Sequence, residues 1–296
     1  MISHSSSTLF IPKKNELLGW IRLSRTLKMN PRLFYQLLQH YGTAEEALLK
    51  IPLLSKLGRL PPLPLYSLLD AEQELKTVRN LNGHILLFGT PSYPYSLASI
   101  PNPPPLLTVL GNKDLLNQKT LSIVGCRKAS FQGKQFSEHL ARTLGEKGYV
   151  IASGLSEGIE AFAHKGALNT GTIVVCSGGA DAIFPSHHTD LAKKILACNG
   201  AFISEMPLGT PPKASLFPRR NRLISGLSKG VILIEATVDS AAFGLTEMAL
   251  EQGRDVFAVP GFPLDPQAYG TNTLIKQGAI LIHSAQDIID FYETSF

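Results

Sequence analysis

Cysteine is scarce in this chain of 296 residues, and its three cysteines, Cys126, Cys176 and Cys198, do not have the spacing of metal ligands. Neither a CxxC pair nor a Cys/His cluster is present, so the sequence predicts no metal site and no disulfide framework. Residues 1–20 lack a charged segment followed by a continuous apolar block, so no signal peptide is indicated. We therefore expect a protein of the reducing cytoplasm.

Charged residues are absent from residues 80–112, yet this stretch does not have the pattern of a membrane-spanning helix. Six prolines interrupt it, whereas a spanning helix needs about 20 apolar residues without such breaks. We therefore expect no membrane partner. Over the whole chain charged residues make up 17%, and the formal net charge is +5 at pH 7. This balance favours polyanionic partners but does not by itself distinguish nucleic acid from nucleotides.

Acidic residues are also absent from residues 211–230, the most basic stretch of the chain. An apolar strand follows at once, so the basic residues are attached to a packed sheet and not to a disordered tail. Guanidinium groups on a rigid element hold phosphate oxygens in a bidentate manner. The alternative is a solvated helix face, which the prolines and clustered arginines fit poorly. The basic residues of the stretch are Lys213, Arg219, Arg220, Arg222 and Lys229.

Residues 1–82 have the pattern of a small all-helical domain of the helix-hairpin-helix or SAM-like kind. Asn30 and Pro31 predict one helix start, and the capping box of Thr43 and Glu46 predicts a helix over Ala44–Lys50. Apolar residues recur at helical spacing and predict a buried face. Because its bases are interspersed with acids, we expect this domain to be dispensable for binding a nucleic-acid strand. A fragment beginning near residue 83 should then fold and bind.

Residues 83–296 change to apolar runs that alternate with amphipathic segments. Continuous Ile, Val and Leu runs are typical of parallel strands covered by helices on both faces. We therefore predict an α/β fold with an extended Rossmann-like, doubly wound, mostly parallel sheet. The predicted strands are His84–Phe88, Leu121–Val124, Tyr149–Ala152, Thr172–Cys176, Ala201–Ile203, Val231–Glu235, Asp255–Val259 and Ile280–His283. The predicted helices are Gly133–Lys147, Asp190–Ala197, Leu245–Gln252, Thr273–Gln277 and Ala285–Tyr292.

Glycine-bearing turns follow three of the predicted strands, at the sheet edge where α/β proteins bind ligands. They span residues 124–130, 153–158 and 177–181. Backbone N–H groups at a helix start form an anion site, to which we assign Gly125, Ser130 and Gly154. The alternative is that these glycines serve tight packing only. Neither the dinucleotide fingerprint nor the P-loop motif is present, and no cofactor is predicted.

Eight short motifs in residues 90–290 together resemble the DNA-processing protein A family, also called DprA or Smf. They are YPYSLASIPNPPPLLTVLGN (93–112), VGCRKASFQG (124–133), ASGLSEGIEAFAHKGAL (152–168), SGGADAIFP (177–185), ISEMPLGTPP (203–212), FPRRNRLISGLS (217–228), GRDVFAVPG (253–261) and GTNTLIKQGA (270–279). The resemblance implies a single-stranded DNA-binding protein on an extended Rossmann fold, usually dimeric. It also implies protection of incoming DNA and loading of RecA recombinase during natural transformation.

The resemblance extends to individual residues. Arg127 matches the arginine of the family's V-G-x-R turn, and Arg220, Asn221 and Arg222 match its R-N-R. We predict that these residues contact phosphates, together with Lys213 and Arg219 of the same basic stretch, and that Arg127 and Arg222 share one surface. Phe217 either stacks on a base or anchors the loop as a core aromatic, and the sequence leaves both open.

The chain also departs from the family pattern. Glu157 stands where a basic or neutral residue is common, Glu160 replaces an aspartate, and residues 240–245 lack a glycine and a threonine of the usual motif. These differences concern the lining of the predicted pocket. Many members carry a C-terminal winged-helix-like domain, which we do not expect here because the chain stops at Phe296.

Two other classes of function compete with DNA binding. The first is a Rossmann-like hydrolase of nucleoside monophosphates, with Glu205, Glu235 or Glu247 as its carboxylate. Its usual P-G-G-x-G-T-x-x-E is missing, because AAFGLTEMALE lacks the double glycine that lets the backbone approach a phosphate. The second is an RNA-binding or scaffolding protein. No acid/base pair suited to bond cleavage accompanies the turns, so we predict no catalytic residue and no enzyme activity. His164 has apolar neighbours and is predicted to be a buried, hydrogen-bonded imidazole.

Overall fold

The computed structural model describes residues 13–294. Residues 1–12 and 295–296, which include most of the segment considered for a signal peptide and the outer ends of both predicted domains, lie outside the described residues. The N-terminal domain consists of four helices: α1 (Lys14–Arg25), α2 (Pro31–Tyr41), α3 (Ala44–Lys56) and α4 (Leu68–Asn80).

The local sequence explains where two of these helices begin. The Asn30 side chain accepts a hydrogen bond from Leu33 N at 2.9 Å, and the Thr43 hydroxyl accepts one from Glu46 N at 3.2 Å. Both predicted starts are confirmed. The predicted end of α3 at Lys50 is wrong, because the helix continues through Pro52 to Lys56. Buried apolar residues hold it on the domain core, and this packing outweighs the hydrogen bond that the proline removes.

The described residues after α4 form one nine-stranded sheet with helices on both faces. The strands are β1 (His84–Leu87), β2 (Leu106–Gly111), β3 (Thr120–Val124), β4 (Val150–Ser153), β5 (Thr172–Val175), β6 (Ala201–Ser204), β7 (Gly230–Leu233), β8 (Asp255–Ala258) and β9 (Ile280–Leu281). The helices are α5 (Tyr95–Ala98), α6 (Phe131–Glu146), α7 (Ile159–Gly166), α8 (Thr189–Ala197), α9 (Phe217–Leu227), α10 (Ala241–Glu251), α11 (Tyr269–Lys276) and α12 (Ala285–Thr294).

The strand order across the sheet is β1-β2-β6-β5-β4-β3-β7-β8-β9. The chain moves outward from β3 in both directions, through β4, β5 and β6 on one side and through β7, β8 and β9 on the other. This is the doubly wound arrangement of a Rossmann-like fold, and it confirms the predicted fold class. The parallel strands end at one edge of the sheet, here called the carboxyl edge.

Strand β2 was not predicted, since its apolar run follows directly on the prolines of residues 103–105. It pairs with β1 and with β6 in antiparallel register, so the sheet is mixed at this end. All other neighbouring strands pair in parallel. The ends of the eight predicted strands agree with the structure to within two residues.

Apolar layers cover both faces of the central strands. Along β3, Leu121 and Ile123 belong to one buried cluster and Val124 to the other, as the two-residue period of a strand requires. Ser122, which lies between them, donates a hydrogen bond to the carbonyl of Ile224 at 2.9 Å. Because both faces are covered, the carboxyl edge is where polar side chains remain accessible to a ligand.

The helical domain and the sheet share a core. Leu87 of β1 and Leu106 of β2 are each 1% exposed and belong to the apolar cluster of the helical domain. Arg25, at the end of α1, forms an ion pair with Glu74 at 2.8 Å and donates to the Thr108 hydroxyl at 3.2 Å. A fragment beginning near residue 83 would therefore expose the apolar end of the sheet. Within residues 13–294, no helix combines the length and apolarity needed to cross a membrane.

Candidate nucleic-acid interface

In the turn between β3 and α6, the carboxylate of Glu235 binds at the start of the helix. Ser130 caps α6 by accepting a hydrogen bond from Gly133 N at 2.8 Å. Its own N–H donates to Glu235 Oε2 at 2.8 Å and its hydroxyl to Glu235 Oε1 at 2.5 Å. The Ser130 N–H that was assigned to an anion site therefore already has an internal partner, because Glu235 occupies the position of an anion. Gly125 is a packing glycine, since an added Cβ would lie 2.6 Å from Ile159 Cγ1.

The turn between β4 and α7 is filled in the same way. Ser156 N donates to Glu160 Oε2 at 2.7 Å, so this N–H also has an internal partner. A Cβ on Gly154 would lie 2.5 Å from Arg220 Nη1, which indicates that close packing requires glycine at this position. The third turn does not lead into an α-helix, since only a short 3-10 segment precedes α8. Two of the three turns thus have an internal carboxylate partner for a backbone N–H group, and contact of Gly125, Ser130 or Gly154 with DNA stays a prediction.

His164 of α7 is fully buried behind the second turn. Its Nε2 lies 2.5 Å from the carbonyl of Gly154 and its Nδ1 lies 2.7 Å from the hydroxyl of Thr172. Since a carbonyl only accepts, Nε2 carries the proton. Burial lowers the pKa of His164 to about 4, so the imidazole is neutral. The predicted buried, hydrogen-bonded histidine is confirmed.

The side chains of Arg220 and Asn221 are on the buried face of α9 and not on its exposed face. The Arg220 guanidinium forms a buried ion pair with Glu160 at 3.4 Å, and their side chains are 9% and 5% exposed. Asn221 Oδ1 accepts from the same guanidinium at 3.0 Å, while Asn221 Nδ2 donates to the carbonyl of Ala241 at 3.2 Å. Burial raises the pKa of Glu160, but Arg220 and the hydrogen bonds of Ser156 outweigh it, so the net pKa is lowered. Both partners are therefore charged.

Phe217, at the first position of α9, lies against two guanidinium groups. Its ring centroid is 4.9 Å from Arg220 Cζ and 5.6 Å from Arg127 Cζ, which are cation–π distances. The three side chains line one cavity of about 190 Å³ at the carboxyl edge, here called the arginine cavity. Phe184, which sequence reasoning missed, also lines it and is 49% exposed. Two aromatic rings and an exposed arginine can hold a base and its phosphate.

The cavity also receives one acidic side chain. Glu157 is exposed and lines the cavity, and its Oε1 lies 3.1 Å from His187 Nε2. Arg220 is neutralised by Glu160, whereas Arg127 has no ion-pair partner among residues 13–294. The uncompensated positive charge of the cavity therefore belongs to Arg127.

The remaining predicted phosphate contacts lie outside the arginine cavity. Arg222 donates to Glu205 at 2.5 Å and to the carbonyl of Asn102 at 2.9 Å, so the structure does not bring it to the Arg127 surface. Lys213 and Arg219 are both exposed, neither lines the arginine cavity, and Arg219 lines a neighbouring cleft. A direct contact of Lys213, Arg219 or Arg222 with DNA stays a prediction.

The carboxylates considered for a hydrolase are partly engaged elsewhere. Glu235 accepts the hydrogen bonds of Ser130, and Glu205 pairs with Arg222. Glu247 is exposed on α10. Ser240 caps α10 by accepting from Phe243 N at 3.2 Å, so the altered stretch of residues 240–245 still starts a helix. Within the described residues, no group of three His, Cys, Asp or Glu side chains is arranged as a metal site.

The fold and the site first define a class: a Rossmann-like α/β protein with an arginine- and aromatic-lined cavity at the carboxyl edge of its sheet. The family description "DNA recombination-mediator protein A" matches residues 84–293, and "DprA-like N-terminal HHH domain" matches residues 14–77. The chain belongs to the DNA recombination-mediator protein A (DprA/Smf) family, as the eight motifs indicated.

Curated relatives support this assignment. The chain is 41% identical to Protein Smf of Escherichia coli (strain K12) over 221 residues, which cover 74% of this chain and 59% of that protein. It is 42% identical to DNA processing protein DprA of Bacillus subtilis (strain 168) over 201 residues, 67% of each chain. The match thus spans only about three fifths of the E. coli protein.

Two solved structures share the architecture. DprA from Streptococcus pneumoniae superimposes with a TM-score of 0.75 at 29% identity, covering 94% of this chain and 98% of that one. DprA from Helicobacter pylori, whose structure describes a single-stranded DNA binding mode, gives a TM-score of 0.65 at 28% identity. That match covers 72% of this chain and 97% of the H. pylori chain.

Proposed function

We propose that this protein binds single-stranded DNA at the carboxyl edge of its sheet and acts as a recombination mediator without catalysing a reaction. The observation that carries the proposal is the placement of Arg127 in the lining of the arginine cavity, where its exposed guanidinium lies 5.6 Å from the ring of Phe217 and has no ion-pair partner among residues 13–294. Membership of the family, and the single-stranded DNA bound by the H. pylori relative, support it.

The chemistry of the cavity suits a strand without sequence preference. The planar fork of Arg127 can hold two phosphate oxygens, which positions the backbone but reads no base. Phe217 or Phe184 offers a ring on which any base can stack. Arg220 contributes mainly as a buried wall of the cavity, since its charge is balanced by Glu160 at 3.4 Å.

The test is fluorescence anisotropy with labelled oligo-dT and a mixed-sequence strand in low and moderate salt. Arg127→Ala should weaken both complexes alike and flatten the slope of log affinity against log salt by roughly 0.7, the value for one phosphate contact on a single strand. Arg127→Lys should restore only part of the affinity, because an ammonium lacks the planar fork.

Arg142→Ala is the matched control. Arg142 is exposed in the C-terminal half of α6, about 16 Å along the helix from its N-terminus at 1.5 Å per residue, and it pairs with Glu138. Its removal takes away the same charge but should leave the salt slope unchanged. Wild-type affinity and slope in a well-folded Arg127→Ala protein would refute the proposed site.

The rival functions have their own assays. Turnover of a nucleoside monophosphate that is lost on changing Glu235 or Glu247 would support the hydrolase instead. Tighter binding of an RNA strand than of a DNA strand of the same sequence would support the RNA-binding class.

We further propose the finer roles that family membership suggests: a cytoplasmic homodimer that protects incoming single strands and loads RecA recombinase onto them during natural transformation. Light scattering coupled to size-exclusion chromatography measures the dimer. Nuclease protection of a bound strand and RecA-dependent strand exchange, each with the wild type and Arg127→Ala, measure the other two roles.

A further inference from the structure

A second cleft lies between the helical domain and the sheet. It has a volume of about 430 Å³ and is formed by the loop after α1, the end of β6 and the start of α9. Lys28 contributes from the helical side and Arg219 from the side of the sheet. We call it the interdomain cleft. No sequence pattern indicated this cleft, because its two walls are nearly two hundred residues apart in the chain.

The free charge of the interdomain cleft is positive. Lys28 and Arg219 are both exposed, and neither has an ion-pair partner among residues 13–294. The other charged groups of the lining are compensated, since Arg25 pairs with Glu74 at 2.8 Å and Glu205 pairs with Arg222 at 2.5 Å. Two unpaired cations on opposite walls suit an anionic chain that runs between them.

The interdomain cleft and the arginine cavity are neighbours. A small recess of about 10 Å³ lies between them: it shares Cys176, Ser177 and Arg220 with the lining of the arginine cavity, and Glu205 and Arg219 with the lining of the interdomain cleft. The path crosses the ends of β3, β4, β5, β6 and β2, which are consecutive neighbours in the sheet. At ~4.8 Å per strand this distance is roughly 19 Å. A stacked single strand, at about 3.4 Å per nucleotide, covers it with about six nucleotides.

Resting on the proposed function, we propose that the interdomain cleft continues the DNA path, so that a bound single strand contacts Lys28 of the helical domain as well as Arg127. Arg219 lies between the two ends and contacts the intervening phosphates. The helical domain is then part of the binding surface for strands of about six nucleotides or longer. This differs from the expectation, drawn from sequence, that the domain is dispensable for binding.

The experiment uses the full-length protein and labelled oligo-dT of 3 and 20 nucleotides, with anisotropy measured at 50 and 200 mM salt. The first variant is Lys28→Asn. Lys28 has a φ of +64°, and asparagine removes the charge while tolerating this left-handed conformation. The second variant is Arg219→Gln on the opposite wall. The control is Lys50→Asn, which removes the same charge from an exposed position of α3 outside the cleft.

We expect Lys28→Asn to weaken binding of the 20-mer by roughly threefold to fivefold at 50 mM salt, as for an exposed ion pair, and to leave binding of the 3-mer unchanged, because about three nucleotides are too short to reach from Arg127 to Lys28. The ratio of wild-type to variant affinity should fall by about 2.6-fold between 50 and 200 mM salt. This factor is the fourfold change in salt raised to the power ~0.7, the value for one phosphate contact on a single strand. Arg219→Gln should show a loss of similar size, and Lys50→Asn no loss.

The outcomes separate this inference from the proposed function. If the wild type binds the 20-mer and Arg127→Ala weakens it, but Lys28→Asn and Arg219→Gln match the wild type at both salt concentrations, the interdomain path is refuted and the arginine cavity remains. An equal loss in Lys50→Asn also refutes the path, because the effect then reflects total charge. If the wild type binds neither strand, the proposed function itself fails. Should Lys28→Asn not fold, as judged by circular dichroism, Arg219→Gln decides.

Discussion

Removal of the Arg220 side chain should mainly lower the stability of the fold, and should affect DNA contacts less. Arg220→Ala leaves the carboxylate of Glu160 in a site where the two side chains are only 9% and 5% exposed. Ser156 N still donates to that carboxylate at 2.7 Å, but its nearest positive charge is gone. Breaking a buried ion pair from one side costs about 3–5 kcal/mol, because an uncompensated charge stays in a poorly solvated place. The midpoint of thermal unfolding should fall by roughly 6–20 °C.

A double-mutant cycle isolates the pair. Urea unfolding of the wild type, Arg220→Ala, Glu160→Ala and the double variant, followed by circular dichroism, gives the free energy of unfolding of each protein. The double variant should be less destabilised than the sum of the single variants, by up to about 3 kcal/mol, since it leaves no unpaired charge. Arg142→Ala is the control, because its ion pair with Glu138 is 53% and 27% exposed, and its loss should cost at most about 0.5 kcal/mol.

A cost of less than about 1 kcal/mol for Arg220→Ala, with additive effects in the double variant, would refute the reasoning. Such values are those of an exposed pair, and Arg220 would then be accessible to a phosphate.

The other predictions concern the cavity and the residues behind it. Glu157→Gln should raise the affinity for single-stranded DNA by about twofold to fivefold at low salt, with a smaller gain at high salt, because it removes the acidic group from the cavity; anisotropy titration measures both. If the ring of Phe217 stacks on a base, Phe217→Leu should weaken the binding free energy for single-stranded DNA by about 1–3 kcal/mol and leave the midpoint of thermal unfolding unchanged. If the ring anchors the loop, the same substitution should lower the midpoint as well. His164 has a pKa of about 4 in the fold, below its ordinary value of 6.5, so the unfolded chain binds its proton first and stability falls as the pH drops from 6.5 towards 4. The loss in the free energy of unfolding that this group causes approaches ~3 kcal/mol at pH 4. In urea unfolding of His164→Gln, the free energy of unfolding should therefore change less steeply with pH, by a slope that corresponds to up to one bound proton.

Much of the fold was predictable because its signals are local. The alternation of apolar runs with amphipathic segments predicted eight of the nine strands, and side-chain caps at Asn30 and Thr43 predicted two helix starts. The missed strand β2 follows a run of prolines, and its place next to β1 and β6 results from long-range pairing. The end of α3 was wrong for a related reason, since packing on the domain core overrides the local signal of Pro52.

The candidate site was predictable in composition but not in exposure. The basic stretch, the glycine turns and Arg127 were identified from the sequence, and the structure gathers Arg127, Phe217 and Arg220 around one cavity. Nothing in the sequence separated the exposed Arg127 from the buried Arg220, because the two have the same side chain and similar neighbours. Lys28 was missed entirely, since it belongs to a domain whose charges are mixed.

The sequence by itself determined the class of fold, the family and the segment that carries positive charge, because these depend on neighbours along the chain. Tertiary structure alone decided which charges stay free. Glu160 pairs with Arg220 from 60 residues away, Glu235 fills the turn of Ser130 from 105 residues away, and Glu205 pairs with Arg222 across 17 residues. The Coulomb energy of a charged pair depends on the distance between the charges and on their burial, and neither quantity can be read from the amino-acid sequence alone.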